Sequence, residues 1–211
     1  MILHGYWRST TSYRLRIALN LKGVAYEHAP LDLRTGAQRS KAFRALNPQG
    51  LVPVLEVDGT VLTQSPAIIE WLEELHPDPP LLPADATARA MVRAMAALIG
   101  CDMHPLNNLR VLEALRGRFN ASPEQVSGWI TQWIAEGFAA LEVLVARHGA
   151  GFAYGAAPSI ADCYLVPQVY SASRFGVDLT PYPRLLAASE QASRLSAFVA
   201  AHPDRQAGAD P

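Results

Sequence analysis

Over the first 80 or so residues the spacing of apolar positions changes repeatedly. Ile2–Trp7 is a short apolar run that predicts an opening strand. Tyr13, Ile17 and Leu21 recur every four residues, the mark of one helical face, and Gly23 stands where a left-handed residue ends a helix. Val24–Leu31 predicts a second strand. Ser40–Leu46 predicts a short helix, stopped by Asn47-Pro48-Gln49-Gly50. VPVLEVDGTVLTQS (52–65) reads as two strands about an Asp58-Gly59 hairpin turn. Pro66–His76 groups Ile68, Ile69, Trp71 and Leu72 in a helical pattern, with Pro at the first position, which suits it. The order βαβαββα predicts a small α/β domain whose last hairpin makes the sheet mixed.

HPDPPLLPAD (76–85) interrupts the pattern as a proline-rich linker. It separates a first domain at 1–78 from a second at 86–211. Strand signals nearly vanish in the second, and helical segments rich in Ala, Leu and Arg are predicted at about 86–117, 122–148, 159–175 and 183–201. Ser159-Ile160-Ala161-Asp162 has the form of a capping box, which makes Asp162 a structural carboxylate. The AHPDRQAGADP ending is expected to be loose.

Composition narrows the function classes. Half of the 211 residues are apolar and 18% are charged, an ordinary globular balance. The net charge of −1 gives no global attraction to nucleic acid or to a membrane surface. No apolar run reaches the roughly 18 residues of a spanning helix, and MILHGYWRS lacks the form of a secretory signal, so the cytosol is the expected compartment. The two cysteines, Cys101 and Cys163, form no C-x-x-C pair or metal-ligand cluster and are expected to be packing residues. Thiol chemistry here would need a thiol brought by a ligand.

Three stretches carry candidate chemistry. In RSTTSYRLRIALNLKG (8–23), four hydroxyls, Ser9, Thr10, Thr11 and Ser12, follow Arg8 at a helix start. One hydroxyl is enough for a cap. The others are either structural or converge where the helix dipole favours a thiolate. Val52-Pro53 is either a plain loop proline or a cis site that turns the Val52 N–H and C=O toward an extended peptide. Ser65 is either a helix cap or, with Gln64, a carboxylate site at a helix N-terminus.

Together RSTTSYRLRIALNLKG, ALNPQGLVPVL, LTQSPAIIEWLEE, HPLNNLRVL and ADCYLVPQVYSASRFGVDLTPYP resemble the zeta class of glutathione transferases over about residues 2–200. The resemblance implies a thioredoxin-like N-terminal domain, an all-helical C-terminal domain and a homodimer. Ser9-Thr10-Thr11 stands where the class carries Ser-Ser-Cys, so the thiol of that signature is replaced by Thr11, as in bacterial members of the maleylpyruvate type. The resemblance implies Ser9, Thr10 and Thr11 as the catalytic hydroxyls, Ser9 facing the sulfur of glutathione. It implies a glutathione-binding set of Ser12, Tyr13, Arg14, Gln38, Gln49, Val52, Gln64, Ser65, His104, Asn108, Leu109 and Arg110, with His104 a contact or a proton donor. Arg8, Arg110 and Arg174 match positions associated with an acidic substrate. The implied activity is glutathione-dependent cis–trans isomerisation of maleylacetoacetate, a small diacid. The alternatives are maleylpyruvate isomerisation, a broader transferase acting on haloacids, and a non-catalytic glutathione-binding protein.

Overall fold

The opening apolar run forms β1 (Ile2–Gly5), with Leu3 and Gly5 buried. The strand predicted through Trp7 stops two residues early, because the Ser9 N–H donates to the Tyr6 carbonyl (3.0 Å) and closes a turn into α1 (Thr10–Leu21). These features come from a computed structural model, which describes residues 1–210. Ser9 caps α1, its Oγ accepting from Ser12 N, and Gly23 ends it at φ 65°. The second strand is shorter than the pattern suggested, β2 (Glu27–Pro30), and α2 (Lys41–Leu46) starts at the cap residue Ser40. β3 (Val54–Val57) and β4 (Thr60–Thr63) turn at Asp58 (φ 47°) and Gly59 (φ 81°), the left-handed pair that a tight hairpin needs. The sheet order is β2-β1-β3-β4, parallel for β1–β2 and antiparallel for the other pairs, hence mixed as expected.

The last helix of this part, α3 (Ser65–Leu75), begins one residue before the sequence suggested, so Gln64 rather than Ser65 holds the cap position. The first compact unit is residues 1–81 joined by the chain from Arg194 onward. This departs from the 1–78 and 86–211 division, because α9 (Ser196–Ala201) packs on α1. Buried Arg16 makes the link: its Nε donates to the Ala201 carbonyl (3.0 Å) and its Nη2 to the Trp7 carbonyl (2.9 Å). Arg34 also binds Asp210 (2.7 Å), so the ending expected to be loose is tied down through that residue. The linker is held too: buried Lys22 Nζ donates to Glu73 (2.5 Å) and to the Pro79 carbonyl (2.7 Å), and Glu73 accepts from Leu81 N (3.0 Å).

The second unit, residues 82–193, is helical. The long helix expected at 86–117 is broken: α4 (Ala86–Ala97) runs into a π-helical turn (Leu98–Met103) and a 3₁₀ turn (His104–Asn107), before α5 (Leu109–Arg118). Then come α6 (Pro123–His148), α7 (Ile160–Arg174) and α8 (Pro183–Ser193); the segment predicted at 183–201 is thus split between the two units. The Ser159–Asp162 capping box is present as predicted. Contrary to the expectation from the sequence, α6 is long and apolar enough in composition to cross a membrane. Its buried residues, Val126, Ile130, Ile134, Phe138, Leu141 and Val145, form one stripe, the pattern of a helix facing a protein core. Cys163 is a packing residue as expected, but Cys101 is exposed in the π-helical turn and is not.

Candidate active site

Strand β1 leads directly into the hydroxyl run, and the Arg16 bond to the Trp7 carbonyl fixes where that run begins. No acidic residue lies in the first turn of α1, so its positive end is not neutralised from within the helix. Beside it Arg8 lies over the Trp7 ring, 5.0 Å from the centroid.

The four hydroxyls have separate surroundings. Thr10 is 7% exposed and Ser12 0%, so both face inward, as do Tyr13 and Arg14. Any contact of these four with a ligand would have to come from backbone groups or from limited exposed edges. Ser9 and Thr11 are half-buried, with Oγ and Oγ1 2.8 Å apart. Thr11 Oγ1 also donates to the Val52 carbonyl at 2.9 Å, joining the helix start to the loop before β3. The Val52-Pro53 bond is cis.

That loop is shaped by Asn47, whose Nδ2 donates to the Leu51 carbonyl (2.7 Å) and whose Oδ1 accepts from Gln49 N (3.1 Å). Gly50 (φ 64°) packs so closely that a Cβ there would lie 2.8 Å from the Gln38 carbonyl. The Gln38 side chain is 7% exposed, and its Oε1 is buried with no hydrogen-bond partner among the described residues. Gln64, at φ 68°, donates from Nε2 to Gln49 Oε1 (2.6 Å), and buried Ser65 follows in the first turn of α3, which also lacks an acidic residue. A loop carbonyl and an uncompensated helix N-terminus therefore lie in this unit, and they fit a short peptide carrying a carboxylate.

The remaining sequence candidates lie in the helical unit. His104 opens the 3₁₀ turn, and Asn108 caps α5 by accepting from Arg110 N (3.2 Å). Leu109 and Arg110 are exposed. Arg110 borders a groove of about 590 Å³ with Leu115, Arg118, Phe119 and Trp129. Trp129 Nε1 donates to the Leu106 carbonyl (2.9 Å) and so steadies the 3₁₀ turn. Arg174, at the end of α7, is exposed with its guanidinium 4.2 Å from the centre of the Phe175 ring. Sequence reasoning passed over two features here. Asn107 has both amide atoms buried without a hydrogen-bond partner among the described residues, and the π-helical turn is of a kind that often accompanies a site. The only sequence signal for either was Pro105 within a helical pattern.

Residues 8–75 match the family described as Glutathione S-transferase, N-terminal domain. The chain is 54% identical over 209 residues to a maleylpyruvate isomerase of Ralstonia sp, covering 98% of each. Its fold superposes with a TM-score of 0.98 on the holo structure of a maleylpyruvate isomerase described as a bacterial zeta-class glutathione transferase, at 52% identity and with full coverage of both chains. A maleylacetoacetate isomerase from Anaeromyxobacter dehalogenans 2CP-1, solved with glutathione in its active site, has a TM-score of 0.90 and 47% identity, covering 99% of this chain and 97% of that one.

Proposed function

The chain belongs to the zeta class of the glutathione transferases, and from that premise we propose that it is a glutathione-dependent isomerase converting maleylacetoacetate to fumarylacetoacetate. The observation that carries this reading is the Ser9–Thr11–Val52 constellation at an uncompensated helix N-terminus, with no cysteine in it. When bound, glutathione supplies a thiolate that adds reversibly to a cis double bond, allowing rotation about it.

The protein's own residues then have separate tasks. Ser9 donates its hydroxyl proton toward the sulfur, and the dipole of α1 favours the thiolate form. The Val52 backbone, Gln38 and the Gln49–Gln64 pair hold the peptide part, and the start of α3 with Ser65 holds a carboxylate. Arg8, Arg110 and Arg174 are the proposed partners of the substrate's carboxylates, since guanidinium groups bind them in fork geometry. His104, Asn108 and Leu109 complete the proposed contact set. A homodimer and a cytoplasmic location are part of the same reading.

A second reading is maleylpyruvate as the substrate, favoured by the 54% identity to an isomerase of that name. The test is an isomerisation assay on both diacids, with and without glutathione. Turnover of maleylacetoacetate only with glutathione supports the main reading. A strong preference for maleylpyruvate selects the second, and turnover without glutathione refutes both.

A further inference from the structure

We propose that Thr11 is a positioning residue that couples occupation of the Val52 carbonyl by a ligand N–H to the direction of the Ser9 hydroxyl proton. The proposal rests on the reading above, in which Ser9 faces a thiolate.

The geometry follows from counting protons. A threonine hydroxyl has one proton to donate. Thr11 donates it to the Val52 carbonyl, which can only accept, at 2.9 Å. The 2.8 Å contact between Thr11 Oγ1 and Ser9 Oγ must therefore be filled by the Ser9 proton. Ser9 Oγ meanwhile accepts from Ser12 N at 3.3 Å. Without a ligand, then, the Ser9 proton points at Thr11 and away from any sulfur.

To donate to a thiolate, Ser9 must turn that proton outward. Two hydroxyl oxygens at hydrogen-bond distance then have no proton between them unless Thr11 turns its own toward Ser9. That rotation takes one donor from the Val52 carbonyl, and a backbone N–H of the bound peptide replaces it. No covalent bond changes, and each group keeps one partner: ligand N–H to Val52, Thr11 to Ser9, Ser9 to sulfur. Seating the peptide and stabilising the thiolate thus favour one another. The hydrogen bond from Thr11 also polarises the Ser9 hydroxyl and makes it the better donor.

Valine keeps the shape of Thr11 and loses the proton, whereas serine keeps the proton and loses the methyl group. A packing role follows the methyl; the relay follows the proton. The pKa of the bound glutathione thiol is measured by ultraviolet thiolate absorbance in wild type, Thr11→Val, Thr11→Ser, Ser9→Ala and the Thr11→Val/Ser9→Ala pair. Dissociation constants for S-methylglutathione, which has no thiolate, report peptide seating alone. The relay requires Thr11→Val to raise the bound thiol pKa by about one pH unit, since a hydrogen bond to a charged group is at stake. Thr11→Ser should hold the wild-type value, and S-methylglutathione affinity in Thr11→Val should stay within about threefold, because the Val52 carbonyl remains available. Ser9→Ala should add less in the Thr11→Val background than alone. A wild-type thiol pKa in Thr11→Val, beside a raised one in Ser9→Ala, overturns the relay and leaves the proposed function standing. No change in Ser9→Ala overturns both. Should Thr11→Val not fold, Thr11→Ala against Thr11→Ser makes the same comparison.

Discussion

Removing the Asp162 carboxylate tests both the capping box and the sign of its titration. Asp162 is 0% exposed, and its Oδ1 accepts from Ala153 N (2.8 Å) while Oδ2 accepts from Ser159 N (2.9 Å) and Ser159 Oγ (2.9 Å). In Asp162→Ala two buried backbone N–H groups lose their partner, at about 1–3 kcal/mol each, so a loss of roughly 2–6 kcal/mol is expected near neutral pH. Burial pushes the carboxyl up to about 6 from the ordinary 3.8, against the pull of its hydrogen-bond donors. Between those values the folded protein binds a proton that the unfolded chain does not, so this group adds stability as pH falls and loses it as pH rises through the folded value. Linkage over that interval makes the wild type more stable at about pH 5 than at about pH 7.5, by on the order of 1 kcal/mol from this group alone. The variant lacks the contribution, so the cost of Asp162→Ala should grow by that amount at the lower pH. Urea unfolding of both proteins at the two pH values, at one protein concentration, measures it. A cost that is equal at both, or smaller at the lower pH, refutes the reasoning.

Arg174→Ala should raise KM for a maleyl diacid at least about tenfold, since a charge-assisted hydrogen bond contributes about 1.5–3 kcal/mol, while Arg174→Lys recovers only part of the loss because an ammonium lacks the fork. Glutathione affinity should hardly change, and equal losses on diacid and neutral substrates would make the arginine structural. Gly137 and Gly128 lie on the same helix and should respond in opposite directions. Nothing stands within 4 Å of a Cβ at Gly128, so Gly128→Ala gains about 0.5–1 kcal/mol of helix propensity. A Cβ at Gly137 would lie 2.3 Å from the Sδ of buried Met103, so overpacking of about 1–3 kcal/mol outweighs that gain. Thermal melts that move the same way in both variants would show that the π-helical turn yields freely.

The features legible in the sequence are those settled within a few residues. The Asp58-Gly59 hairpin, the stop of the short helix at Leu46 and the Ser159–Asp162 box each depend on local backbone chemistry, and each is present. The contacts that escaped sequence reasoning are separated along the chain. Nothing near Arg16 indicates that its guanidinium reaches the Ala201 carbonyl, 185 positions away, and that bond helps return the final helix to the first unit. The break after Ala97 was hidden because the apolar pattern continues across it while the hydrogen-bonding register changes.

The hydroxyl run shows the same limit at the candidate site. Its residue types indicated a helix start with more donors than a cap needs, but not how the surplus divides. Ser9 caps α1 and Thr11 reaches Val52, 41 positions on. Thr10 and Ser12 face inward, and Ser12 has a steric reason to be small. A Cβ at Gly5 would lie 3.1 Å from Ser12 Oγ and 3.4 Å from His28 Nε2, so strand and helix approach closely only because position 5 has no side chain and position 12 a short one. That approach sets the depth at which α1 begins. With the Arg16 bond to Trp7, it determines where the Ser9 and Thr11 oxygens stand relative to the Val52 loop. The two buried members of the run thus help to place the two half-buried ones.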